Sequence, residues 1–127
     1  MSGWTPYRRS AVHSAPHVAP FFQGITLTTD IQLDVKLTRE QVVQRFQDMF
    51  GKEPLIEIVA QKDAVPVVKD NAQKHFVRLG GFAVDPATNR VVVVATLDNL
   101  LKGAATQALQ NINIALGLRE LDGIKSE

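Results

Sequence analysis

The sequence predicts an α+β domain, a mixed or antiparallel sheet with helices on one face. Three patterns carry that expectation. Apolar and polar residues alternate over residues 25–37, an apolar β-branched run fills residues 91–95, and a helical stripe of small and apolar side chains closes the chain.

Residues 1–24 show neither period. Pro6, Pro16 and Pro20 interrupt any ladder there, so the N-terminus reads as irregular. Its first fourteen residues hold two Arg and no acid, a faint likeness to a mitochondrial transit peptide beside the plainer reading of a ragged end. From Ile25, the odd positions Ile25, Leu27, Ile31, Leu33, Val35 and Leu37 are apolar, which makes a strand with one face in the core. Thr38 and Gln41 then stand at capping-box spacing. Val42, Val43, Phe46, Met49 and Phe50 form the apolar face of the helix that follows, and Gly51 is expected to end it as a left-handed cap.

Residues 55–59 read as a short strand and residues 76–84 as another, in which Gly80-Gly81 marks a bulge or a close backbone approach. Residues 85–89 are a turn. The run at residues 91–95 is apolar on both sides, so it is expected in the centre of the sheet and covered on both faces. Asp98 caps a last helix over residues 99–116, whose stripe of Leu101, Ala104, Ala105, Ala108, Ile112, Ala115 and Leu116 is expected to pack closely; Gly117 ends it. The predicted order is β-α-β-β-β-α.

The chain of 127 residues fits one domain, large enough to bury roughly two-thirds of its unfolded surface. It carries a net charge of +1 with acids and bases interspersed, which argues against nucleic acid as a partner. No apolar run approaches the roughly 20 residues of a membrane span. The sequence contains no cysteine, which excludes a disulfide framework, a thiolate metal site and a cysteine nucleophile from these residues. Paired metal ligands are absent as well, so no metal is expected.

Chemistry is concentrated in a few places. Asp98-Asn99-Leu100-Leu101-Lys102-Gly103-Ala104-Ala105 opens a helix, and a helix start offers N–H groups and partial positive charge to a phosphate or an amide carbonyl. Gly103 costs such a turn about 1 kcal/mol relative to Ala; tight packing and ligand approach are the two explanations. His17, between Pro16 and Pro20, is either a structural histidine or an acid-base group. His13 and His75 have weaker cases. Residues 66–71 are a solvated loop or a loop beside a substrate. No Gly-rich dinucleotide fingerprint follows a strand, so a Rossmann unit is not expected within this chain.

Two segments carry a resemblance. Pro16-His17-Val18-Ala19-Pro20-Phe21-Phe22-Gln23-Gly24-Ile25 resembles the Pro-His-Leu-x-Pro-Met-x-Arg-Gly-Ile motif of N-acetyl-gamma-glutamyl-phosphate reductases. Residues 97–113 resemble the same family's Asp-Asn-Leu-x-Lys-Gly-Ala-Ala-x-Gln-Ala-x-Gln-Asn-x-Asn. A shorter form of the second motif also occurs in aspartate-semialdehyde dehydrogenases. Phe21-Phe22-Gln23-Gly24-Ile25, Val67-x-Lys69-Asp70 and Gly80-Gly81-Phe82 resemble most the fungal form, a mitochondrial polyprotein shared with N-acetylglutamate kinase.

The resemblance implies a semialdehyde-dehydrogenase C-terminal-like fold over residues 16–127, the substrate and dimerisation domain, after a non-homologous stretch at 1–15. It implies NADPH-dependent reduction of an acyl phosphate to N-acetylglutamate 5-semialdehyde in arginine synthesis, with NADP(H) held mainly by a Rossmann domain outside these residues. The family's cysteine and acid-base histidine align with nothing here, so no catalytic residue is assigned and the chain alone is expected to be inactive. Substrate contact is implied for His17 and Gln23, the latter standing where bacterial forms have Arg. Cofactor contact is implied for Asn99 and Gly103, with Lys102 and Ala104 lining the same site. Homo-oligomers, a small-molecule substrate, N-acetylglutamate kinase as a partner and a mitochondrial location complete the implied picture. A non-catalytic dimerisation module and a fragment of aspartate-semialdehyde dehydrogenase stand as alternatives.

Overall fold

In the computed structural model, residues 11–17, 20 and 22–125 are described. The Pro6 reading and both Arg of the transit-peptide likeness fall on residues 1–10, outside them. Thr38 and Gln41 form the expected capping box: the Thr38 hydroxyl accepts from the Gln41 N–H at 3.2 Å, and the Gln41 side chain accepts from the Thr38 N–H at 2.9 Å. Helix α1, Arg39–Phe50, follows. It buries Val42 and Val43 and turns Phe46 edge-on to Phe82, with ring centroids 5.1 Å apart. Arg39 fastens it to the sheet by donating to the carbonyls of Phe82 and Ala60. Losing the cap in Thr38→Ala should cost about 1 kcal/mol of unfolding free energy, measured by urea unfolding.

The sheet has five strands in the order β1-β2-β5-β4-β3: β1 Val12–His17, β2 Ile25–Gln32, β3 Ile56–Ile58, β4 Val77–Asp85 and β5 Arg90–Leu97. The β3–β4 pair is parallel and the other pairs are antiparallel. The expected mixed sheet is therefore present, with α1 against one face and β5 at the centre. Its core joins Val42, Val43, Phe82, Val91 and Val93, with Ile31, Leu33, Leu37, Phe46 and Leu79 packed around them.

Several expectations are corrected. Residues 12–17 are not irregular but form strand β1, antiparallel to β2 with Pro16 opposite Leu27. The Gln32 N–H bonds the Ala11 carbonyl. Inward bonding groups therefore alternate through residues 13, 15 and 17, and Pro16 lacks its N–H on the outward side of an edge strand. The alternation of residues 25–37 holds a strand only as far as Gln32, because its partner β5 begins at Arg90, opposite Gln32. Gly51 is right-handed (φ −64°), not a left-handed cap. A Cβ there would lie 2.5 Å from the Gln47 carbonyl oxygen, so space rather than handedness calls for glycine.

Around β4 and β5 the picture is mixed. The bulge lies at Gly80–Ala83, as expected; Gly81 has φ +60°, and a Cβ on Gly80 would come within 2.9 Å of Pro66 and Val59. The two faces of β5 are closed unequally, the second only at Thr96. Val91 and Val93 are buried, whereas Val92 and Val94 are half-buried beside Asp30 and Thr28 on the other face.

The last helix starts differently from the reading. Residues Leu101–Ala105 form a π turn, in which Gly103 and Ala105 donate five residues back to the carbonyls of Asp98 and Leu100. Helix α2, Thr106–Ala115, continues from it. Gly117 (φ +70°) ends it as expected, with the Leu118 N–H returning to the Asn113 carbonyl. The apolar stripe does not pack within this chain. The buried residues are Thr106, Gln110 and Asn113, while Ile112 is 53% and Leu116 69% exposed. Asn113 donates to the carbonyls of Glu120 and Asp122, and Gln110 to the Glu120 carboxylate, so the polar face grips the C-terminal turn.

Candidate functional site

Strand register decides where the two motif segments meet. Ile25, the first residue of β2, lies opposite Leu97, the last of β5. Residues 23–24 must therefore stand beside residues 98–99, and two hydrogen bonds join them. The Gln23 amide donates to Asp98 Oδ2 at 2.6 Å, and the Gly24 N–H donates to Asn99 Oδ1 at 2.6 Å. Gly24 has φ +118°, a conformation that suits glycine. His17 ends β1 opposite Thr26, at the same end of the sheet, with Nε2 3.1 Å from the Thr28 hydroxyl. Its ring is exposed.

Asp98 is the centre of this junction and has no exposed surface. Oδ1 accepts the N–H groups of Leu100 and Leu101, the capping role read from sequence. The carboxylate thus occupies the place that a phosphate would take at a bare helix start. Its other oxygen also accepts the N–H of Gln73, a residue at φ +61°. Nearby, the buried Asn71 accepts from the Thr96 hydroxyl at 2.7 Å and donates to the Phe76 carbonyl. Residues 66–71 are accordingly not a plain solvated loop, since Pro66 and Asn71 are buried.

The remaining predicted residues lie in the π turn or just before it. Asn99 directs its side-chain oxygen to Gly24. Lys102 donates to the amide oxygens of Gln107 (2.8 Å) and Gln110 (2.5 Å). Burial lowers its pKa below the usual lysine value, against a smaller opposing pull from Glu120 and Glu53. Gly103 and Ala104 are exposed. A Cβ on Gly103 would sit 3.0 Å from the Leu97 side chain and 3.4 Å from the Asp98 carbonyl, which supports the packing explanation of this glycine. The structure thus brings Gln23, Asn99, Lys102, Gly103 and Ala104 to one junction, with His17 at the same end of the sheet.

Sequence reasoning missed Gln73 and the second oxygen of Asp98. It also missed the pairing of His75 Nδ1 with the Thr106 hydroxyl at 2.7 Å. Left-handed Gln73 leaves no trace in composition, and no periodicity points from position 98 to position 73. Among the described residues no group of three potential metal ligands is gathered.

Residues 4–99 match the family described as semialdehyde dehydrogenase, dimerisation domain. The chain belongs to this family. Among curated relatives, the domain is 58% identical over 118 residues to "Bifunctional protein argC, mitochondrial" of Dictyostelium discoideum, covering 93% of this chain and 14% of that protein. It is 56% identical over 114 residues to N-acetyl-gamma-glutamyl-phosphate reductase of Stenotrophomonas maltophilia, covering 90% and 35% respectively. Among solved structures, it is similar to aspartate semialdehyde dehydrogenase II of Vibrio cholerae, with a TM-score of 0.65 and 25% identity over 77% of this chain and 28% of that one. The resemblance to the reductases rests on far higher identity than the likeness to the aspartate-semialdehyde enzyme. The domain spans about a third of the bacterial reductase's length.

Proposed function

We propose that this dimerisation domain is part of an NADPH-dependent N-acetyl-gamma-glutamyl-phosphate reductase, to which it supplies a subunit interface and one wall of the active site. The observation that carries this reading is the meeting of both reductase-like motifs at one junction, in a chain 56% identical to such a reductase over 90% of its length. The reaction passes an acyl group to a thiolate and then adds hydride. These residues contain no cysteine, so the nucleophile and the bulk of the NADP(H) site belong to further sequence.

Within that assembly, Asn99, Lys102, Gly103 and Ala104 lie against the cofactor, and His17 faces the substrate side. The exposed apolar side of α2, with Ile112 and Leu116, is covered by the cofactor-binding domain; burial of such a side chain stabilises docking by about 1.5–3 kcal/mol. The name of the Dictyostelium relative, bifunctional and mitochondrial, supports a mitochondrial location and a second activity in the same polypeptide. N-acetylglutamate kinase is the partner that the motif resemblance implies.

Two measurements test this. The purified 127-residue chain should oxidise no NADPH with the acyl phosphate; phosphate-dependent NADP⁺ reduction with the semialdehyde would refute its dependence on residues outside this sequence. In an intact reductase carrying this domain, Ala104→Val should raise the KM for NADPH by about tenfold, a loss of about 1.4 kcal/mol. Ala104 is a cleaner probe than Gly103, because it is exposed and already carries a Cβ, whereas a Cβ added at Gly103 would crowd Leu97. An unchanged KM would remove the helix start from the cofactor site. The second reading, a free-standing interaction module, draws on the family's dimerisation character. A stable dimer of the chain that alters the rate of an intact reductase on mixing would favour it.

A further inference from the structure

A helix cap needs one carboxylate oxygen, yet Asp98 uses both. Oδ1 takes the two N–H groups of the helix start. Oδ2 takes the side-chain amide of Gln23, 75 positions away at 2.6 Å, and the backbone N–H of Gln73, 25 positions away at 2.8 Å. Gln73 reaches it only in a left-handed backbone conformation (φ +61°), which side chains with a Cβ rarely adopt. The adjoining pair repeats the arrangement, with Asn99 Oδ1 holding the Gly24 N–H. Residues 23–24 and 98–99 are thus cross-bonded twice, and a third stretch is tied to the same buried carboxylate.

We propose that Asp98 and Gln23 are positioning residues: Gln23 acts through the buried Asp98 to set how Asn99 and the π turn leave the sheet, and it does not itself hold substrate. The inference rests on the functional reading above for what the site serves, though not for the junction itself. One of the two Gln23 amide protons is committed to a carboxylate with no exposed surface, which ties this side chain to the junction instead of leaving it free to follow a substrate. An arginine here, as in the bacterial-type motif, would meet the same carboxylate oxygen with a charge-assisted N–H. Gln and Arg at position 23 are then two donors for one acceptor.

Amide exchange in the 127-residue chain, followed by NMR without cofactor or substrate, tests this. The Gln23 side-chain amide should show one downfield, slowly exchanging proton. Gln23→Ala should speed exchange at the Gly24 and Gln73 N–H groups by about tenfold, leaving Val93 in the central strand unchanged. Gln23→Arg should restore both to within about twofold of the parent. Unaltered exchange in Gln23→Ala, or an arginine variant as fast as the alanine one, overturns the proposal. Asp98→Asn should abolish the downfield Gln23 signal, and its survival would overturn the proposal equally. Because no ligand is present, failure here is separable from failure of the reductase assignment, which the turnover and KM measurements judge.

Discussion

Phe82→Ala should lower the unfolding free energy by about 3–5 kcal/mol. Phe82 is 5% exposed, stands edge-on to Phe46 and sits in the cluster formed by Val42, Val43, Val91 and Val93. Truncation removes the ring from beneath α1 and leaves a cavity that β-branched neighbours on a rigid sheet cannot refill. A small domain has about 5–15 kcal/mol of stability in all, so this one change takes a large share. Urea unfolding provides the check: the midpoint should drop with little change in slope. A parent-like midpoint would mean that α1 is held by Arg39 and its cap, not by this contact.

Asp98→Ala should cost about 3 kcal/mol, roughly three times the usual loss from removing a helix cap. Four donors converge on the carboxylate, two from the helix start and two from distant segments. Alanine would leave them facing a buried void. Water entering that void would recover part of the loss, which is why the expected total falls short of four separate charge-assisted bonds. A measured cost near 1 kcal/mol would reduce Asp98 to an ordinary cap.

How far the fold could be read depended on whether its determinants were local. The capping box at Thr38 and Gln41, the bulge at Gly80-Gly81 and the glycine end of α2 are set within a few residues, and each stands where the sequence placed it. Strand β1 was missed because Pro16 reads as a ladder breaker; only the register with β2 reveals that its absent N–H faces outward. Helical spacing located two faces on α2 but could not tell which one turns inward, and the polar face of Thr106, Gln110 and Asn113 is the buried one. The junction was half legible. Asp98 was recognisable as a cap, and motif resemblance singled out Gln23 and Asn99. Their contact depends on Ile25 lying opposite Leu97, a fact of tertiary pairing.

The π turn has a bearing on chain length. Its five-residue rings hold one residue more than an α-helical stretch of the same rise, and each helical residue advances the phase by about 100°. Deleting Ala104 would let the segment relax into an unbroken 3.6-residue winding with α2 kept in phase, whereas a residue added between Ala105 and Thr106 would swing α2 by about that angle relative to Asp98. Thr106 would turn away from His75, and Gln110 and Asn113 would lose their hold on the C-terminal turn. Exposed stretches commonly tolerate gain or loss of a residue; here the wider winding already absorbs one, and a second would change the compass heading of everything after it.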